Sequence, residues 1–338
     1  MHQCTARSIF PFSVFLLSTL SNLPITTPPE TTTMAISRKT FTALAAGLAL
    51  ACTAFAPAHA QTPSTPTLEK IKASGKAVLG VRETSPPMAY ALGANEKYVG
   101  YHVELCERVL KEIAPDAKLE YMAVTAQNTL PLVQNGTLDI GCGPTTNNTA
   151  RQQQVAFAVT TYVSEVRMAV RKDSDLQSIK QLAGRTIAAS TGTTAVQLLR
   201  KQERALGGAP IKTVLGKDHH ESFLLLETGR ADAFVLDDNL LAGMIANSKD
   251  PSAYRIVGEP LGAEPIALLF RKDDPAFKAA VDGVLTKLMQ SGEMEKIYTK
   301  WFVNPIPPKN MSLSLPLGTT LRQLFATPND KPLETYQQ

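Results

Sequence analysis

Long apolar runs, metal-ligand spacings and an excess of either charge are all scarce in this 338-residue chain. No uninterrupted stretch of about 18 apolar residues follows residue 60, which excludes an ordinary membrane-spanning helix there. Lys and Arg total 34 against 30 Asp and Glu, and the formal charge of +4 is not gathered into any block. That near-balance argues against nucleic acid as a partner. Of the four cysteines, only Cys106 and Cys142 lie beyond residue 60, and no histidine stands at a ligand spacing from them. Neither a metal site nor a Ser/His/Asp constellation is legible, and no cofactor is expected. What is present is an ordinary globular composition, 44% hydrophobic and 19% charged, long enough for one or two domains with real cores.

The N-terminus reads as a targeting segment. Met34 to Lys39 is a short basic region, residues 41–55 are apolar but too few to span a bilayer, and Ala58-His59-Ala60 is a small-x-small cleavage site. The mature chain is expected to begin at Gln61. Residues 1–33 precede a complete signal peptide, which is most simply explained if Met34 is the true start. A lipid anchor at Cys52 is disfavoured, because the preferred leucine is missing three residues before it. Export implies an oxidising compartment, in which Cys106 and Cys142 either form a disulfide or remain two separate buried thiols.

From Leu68 onward, apolar runs of strand length alternate with helical patterns, which predicts an α/β fold with mainly parallel sheets. One internal echo is informative: Leu132-Val-Gln-Asn-Gly136-Thr-Leu-Asp-Ile140 resembles Leu225-Leu-Glu-Thr-Gly229-Arg-Ala-Asp-Ala-Phe234. Each half is a helix end, a glycine, an aspartate and an apolar strand leading to polar residues, so two similar lobes are expected. Ligands of open α/β sheets bind beyond the carboxyl ends of the strands. The polar residues there are Arg82, Thr145 to Arg151, Ser190 to Thr194 and Asp237, drawn from both lobes, so the cleft between lobes is the expected site.

Chemically, this set suits a zwitterion. Arg151 and the short helix following Asn148 suit an α-carboxylate. Asp237 suits an α-ammonium, Thr193 and Thr194 add donors, and Arg82 with His219 faces a polar or acidic side chain. Each alone has an ordinary structural explanation, such as a helix cap; their common place at strand ends favours a site.

Over roughly Leu68 to Lys331 the sequence resembles the family-3 periplasmic solute-binding proteins of amino-acid ABC importers, most nearly the glutamate/aspartate-binding branch. The resemblance rests on Gly80-Val-Arg82-Glu-Thr-Ser, Thr125-Ala-Gln-Asn128, Gln134-Asn-Gly-Thr-Leu-Asp139, Thr145-Thr-Asn-Asn148 with Arg151, Ser190-Thr-Gly-Thr-Thr194, Lys217-Asp-His219, Asp237-Asp238 and Asn304-Pro-Ile-Pro-Pro-Lys-Asn310. It implies the two-lobe, hinged periplasmic binding protein fold (type II): residues 67–165 with 268–303 as one lobe, 166–267 as the other, 304–338 as a tail. The hinge is expected near Val166–Val170 and Ile266–Phe270. The resemblance gives Arg151, Thr146 and Thr194 to the α-carboxylate, Asp237 to the ammonium, and Arg82, Thr193 and His219 to the side-chain end. It implies a monomer that hands an amino acid to a membrane permease and performs no chemistry.

Three departures bear on the ligand. The branch carries serine, arginine and serine where this chain has Ala126, Thr129 and Pro144, and proline has no N–H to donate. Counting Arg82, Arg151 and Asp237, the pocket would carry +1. Altered or relaxed specificity is therefore expected, with the space left at Thr129, still counted as a ligand-binding position, open to a larger or neutral side chain. The alternatives are a periplasmic dehydratase or lyase on the same fold, for which Glu83 or Glu165 would have to act as the acid/base, and a sensory ligand-binding module.

Overall fold

The computed structural model describes residues 65–93 and 97–336; the expectations for residues 1–60, including the signal peptide and Cys52, lie outside the described residues. Numbering elements in chain order, one sheet contains β1 (Lys76–Val81), β5 (Lys118–Ala123), β6 (Ile140–Gly141), β7 (Val155–Phe157) and β14 (Leu269–Arg271), in the order β5-β1-β6-β14-β7. The second contains β8 (Tyr162–Arg171), β9 (Thr186–Ser190), β10 (Lys212–Gly216), β11 (Ala233–Asp237) and β12 (Tyr254–Val257), in the order β10-β9-β11-β8-β12, with β13 (Ala263–Ile266) also paired to β8. Both sheets have a parallel core, β5-β1-β6 in one and β10-β9-β11 in the other, with antiparallel strands added at one side. A small antiparallel sheet of β2 (Thr84–Ser85), β3 (Ala89–Leu92) and β4 (Lys97–Val99) was not anticipated.

The inner parallel strands β6, β9 and β11 are buried on both faces, as strands flanked by helices must be, whereas the edge strands β5 and β10 are largely exposed or half-buried. All five residues of β11 are buried. Helix α2 (Tyr101–Ile113) turns Val103, Leu105, Val109 and Leu110 into the core and leaves Glu104 and Arg108 paired at i,i+4 on the outside. Helix α8 (Pro275–Gln290) opens as predicted: Pro275 takes the first turn and the Asp274 carboxylate accepts from the Phe277 N–H.

The internal echo proves to be one structural unit used twice. Helices α3 (Thr129–Gln134) and α6 (His219–Glu227) each end at a positive-φ glycine, Gly136 (φ 75°) and Gly229 (φ 71°). In each unit a backbone bond then spans six residues, Leu138 N–H to Leu132 and Ala231 N–H to Leu225. The aspartate that follows clamps the neighbouring strand from both ends. Asp139 accepts from the Val78 N–H and donates its own N–H to the Val78 carbonyl, as Asp232 does with Thr186.

The chain crosses between sheets further upstream than the expected hinge. Val166–Val170 lies inside the second sheet, paired with β11 and β12. The crossover is formed by residues 158–165 against 263–268, through β8–β13 pairing and the bonds Ala158 N–H to Leu268 and Thr161 N–H to Ile266. Cys106, in α2, is bonded to Cys142 at the end of β6, so the disulfide alternative holds. The tail forms helix α10 (Thr319–Ala326) and then returns to the first sheet's loops, where the Leu333 N–H donates to Asn147 and Thr160 N–H donates to Asn329.

Candidate functional site

Five parallel strands deliver the site. Arg82 follows β1, Thr145 and Thr146 follow β6, Thr193 and Thr194 follow β9, His219 follows β10, and Asp237 ends β11. With Ala126, Pro144, Arg151, Leu236 and Leu240 they line a narrow cavity of about 20 Å³. A smaller adjoining cavity of about 10 Å³ shares Arg82, Ala126 and His219 and continues to Ser85, Lys217 and Asp218. Seven of the eight expected ligand-binding residues therefore meet at one place.

Thr129 does not join them. It is fully buried, its hydroxyl donates to the Thr125 carbonyl at 2.6 Å, and it packs beside Gly141. At the first position of α3 the threonine hydroxyl satisfies itself on the i−4 carbonyl, so the room expected there is enclosed core. A small extension of the cavity lies on the Ser85–Lys217 side instead.

The short helix α4 (Thr149–Gln152) is capped by Asn148, whose side chain accepts from the Arg151 N–H. Its N-terminus is not a free anion site. Glu334 from the tail accepts from both the N–H and the hydroxyl of Thr149 at 2.9 and 2.8 Å. The expectation that this helix end helps bind a ligand carboxylate is corrected accordingly: the protein's own carboxylate fills it. Arg151 remains at the cavity, with its guanidinium donating to the Thr146 and Gly192 carbonyls at 3.0 and 3.3 Å. It thereby spans loops of the two sheets.

Arg82 crosses directly over Gly143, where a Cβ would lie 2.7 Å from its Cγ. Its Nε has no hydrogen-bond partner although Arg82 is only 5% exposed. Burial, with Arg151 nearby, lowers its pKa to about 9. His102 Nδ1 donates to the Gly143 carbonyl at 2.9 Å while its Nε2 meets the Thr161 hydroxyl at 2.8 Å, and burial lowers it to about 4. His219 contacts Ser190 Oγ through Nδ1 at 2.8 Å, and burial with the Arg82 charge lowers it to about 3. Both imidazoles are neutral at ordinary pH. Thr193 lines the cavity, but its hydroxyl proton goes to the Ser190 carbonyl at 2.7 Å.

One site residue was missed from the sequence. Glu264, on β13, accepts from the hydroxyls of Thr146 and Thr194 through one oxygen, at 2.5 and 2.8 Å; the other oxygen is buried without a partner. Burial raises its pKa. Burial also raises Asp237 well above the carboxylate range, with Glu264 and then Asp238 adding repulsion. Counted in their ionised forms, Arg82 and Arg151 at the cavity are matched by Asp237 and by Glu264 behind Thr146 and Thr194, a formal balance in place of the +1 counted from the sequence. The only local signal was a carboxylate opening an apolar strand, Glu264-Pro-Ile-Ala-Leu-Leu-Phe270. Among the described residues there is no group of three or more His, Cys, Asp or Glu able to hold a metal, and no helix long and apolar enough to cross a membrane.

The geometry agrees with the comparisons to known proteins. A glutamate/aspartate import solute-binding protein of Escherichia coli is 40% identical over 298 residues, 86% of this chain and 95% of the relative. An L-glutamate/L-aspartate-binding protein of Pseudomonas aeruginosa is 41% identical over 277 residues, covering 80% and 91%. The crystal structure of a cysteine-binding protein from Campylobacter jejuni superposes with a TM-score of 0.63 at 28% identity, covering 70% of this chain and 92% of that one. These relatives are named as binding proteins, one of them as an import component, and none is named as an enzyme. Residues 77–304 match the model of the bacterial extracellular solute-binding proteins, family 3, and the chain belongs to that family.

Proposed function

We propose that this protein is the periplasmic binding component of an ABC-type amino-acid importer, taking a polar or acidic L-amino acid in the cleft and presenting it to a membrane permease. In this reading it acts as a monomer, exported by the segment ending at Ala60. The observation that carries the reading is the pairing of a buried, under-satisfied Arg82 with a buried Asp237 across one closed cavity. A buried guanidinium with an unsatisfied Nε, facing a buried carboxylate, is costly unless a ligand of opposite charges completes them. The ligand α-carboxylate lies by Arg151, its ammonium by Asp237, and its side chain toward Arg82 and His219.

Opposite sides of the cleft touch through two glycines. A Cβ on Gly192 would lie 2.7 Å from the Gln127 backbone, and one on Gly243, in α7 (Asp238–Asn247), would overlap the Pro86 carbonyl. Such contacts exist only when the lobes are together, so ligand capture is a shift of the open–closed population. Ala126 and Pro144 line the cavity without donor side chains. They weaken selection for an acidic side chain and leave the chamber toward Ser85 and Lys217 to a longer or neutral one. Native mass spectrometry of freshly purified protein tests the proposal. A released amino acid of zwitterionic mass supports it, and a carried sugar, peptide or metal would refute it.

A further inference from the structure

Glu264 belongs to none of the roles above, yet it stands directly behind the two threonines given to the ligand carboxylate. It is 1% exposed. Each threonine hydroxyl has one proton, and the hydroxyls of Thr146 and Thr194 both give theirs to the same Glu264 oxygen. The two threonine oxygens lie 3.5 Å apart, so as arranged they offer a ligand carboxylate lone pairs, not donors. The second oxygen of Glu264 is buried without a partner, which leaves its carboxylate directly behind those two cavity-lining threonines.

Building on the amino-acid reading, we propose that Glu264 is a specificity-determining residue: a built-in anion that admits a zwitterion as it stands and admits an acidic amino acid only together with one proton. The charges require this. Arg82 and Arg151 balance Asp237 and Glu264, so a ligand of zero net charge leaves the closed cavity neutral. A glutamate or aspartate, of net charge −1, does not, and a lone buried charge is too costly to keep. One proton taken from solvent onto Glu264 restores the balance. The neutral carboxyl then donates its own O–H, and the hydroxyls of Thr146 and Thr194 turn to the ligand. Among the groups around it, burial favours neutral Glu264, while the Thr146 and Thr194 hydroxyls and Arg151 favour its ionised form; Asp237 is a repelling neighbour, with Asp238 and Glu165 behind it and Arg167 near Asp238. Arg82 is on the cavity wall, and His219 is neutral there. Protonation of Glu264 is the step that frees both threonine hydroxyls for the ligand, and burial raises its pKa as it does that of Asp237.

The test is titration calorimetry of the full mature protein with two isosteric pairs, glutamate against glutamine and aspartate against asparagine, across about pH 6 to 9. The α-amino and α-carboxyl titrations of the free ligands cancel within a pair. The affinity for the acid relative to its amide should fall with rising pH, approaching tenfold per pH unit. Acid binding should take up about one proton, read from buffers of different ionisation enthalpy. Glu264→Gln, which keeps the shape and an acceptor, should flatten that dependence and raise the acid-to-amide ratio. A ratio independent of pH in the wild type, or a dependence that persists in Glu264→Gln, would overturn the inference while leaving amino-acid binding intact. If none of the four amino acids binds either protein, the amino-acid reading falls, and this inference with it.

Discussion

At the scale of single residues, the site is an exercise in burying charge. Its two arginines and two carboxylates are all shifted toward neutrality by burial, the condition under which a ligand with matching charges gains most from entering. The two buried histidines give a prediction that is independent of the ligand. His102 and His219 have folded pKa values of about 4 and 3, below the ordinary value of 6.5. The unfolded chain therefore binds protons that the folded chain refuses. Their contribution is complete above the ordinary imidazole pKa and is lost as pH falls, about 2 kcal/mol for each by about pH 5. Asp237 and Glu264 act in the opposite sense, since a raised carboxyl pKa favours the folded state on the acid side. The direct check is an NMR titration, in which neither imidazole should change charge above about pH 5; a midpoint near the ordinary value would contradict the burial argument.

Residue-level legibility was uneven for physical reasons. Arg82, His219 and Asp237 were readable because they stand at the ends of strands whose apolar runs are clear. Thr129 was not, because a helical threonine facing a pocket and one bonded to its i−4 carbonyl are written identically. Glu264 was invisible as a site residue because its partner Thr146 is 118 positions away, and nothing local announces such a pairing.

At the scale of elements, α7 offers the sharpest test of closure. Gly243 lies inside a helix, where alanine is the better residue by about 1 kcal/mol. Gly243→Ala should therefore keep or raise thermal stability in the absence of ligand. It should also weaken ligand affinity at least tenfold, because its methyl group meets Pro86 only when the lobes are together. Unchanged affinity in calorimetry would mean that binding does not require this contact. The disulfide between α2 and β6 is a second element-level device. It closes a 36-residue separation, which the chain-entropy account makes worth about 4 kcal/mol. Reduction should lower Tm, with a thermal melt that shows no reductant dependence arguing against the bond.

Element positions were legible where caps and periodicity agree, as in α8 with Asp274-Pro275 at its start. They were not legible for β2, β3 and β4, strands of two to four residues too short to show alternation. The first half of β8 was missed because Ser164 and Glu165 interrupt its apolar run, which placed the hinge several residues too far along the chain.

At the scale of the whole molecule, the repeated helix–glycine–aspartate–strand unit explains why both lobes present polar groups at strand ends. The two-lobe architecture followed from that echo and from the strand–helix alternation. The role of the tail did not. Its Glu334 and Asp330 brace Asn147, Thr149 and Gln152 beside the site, contacts that only the folded chain brings together. The central claim is that the cleft holds an amino acid by its zwitterionic end, and calorimetry with a panel of L-amino acids, comparing wild type with Asp237→Asn, tests it most directly. The account predicts saturable binding of a polar or acidic L-amino acid to the wild type. It predicts a loss of about tenfold to a hundredfold in the variant, the value of one charge-assisted hydrogen bond. Equal affinity in the two proteins, or equal binding of a ligand whose α-amino group is acetylated, would contradict it.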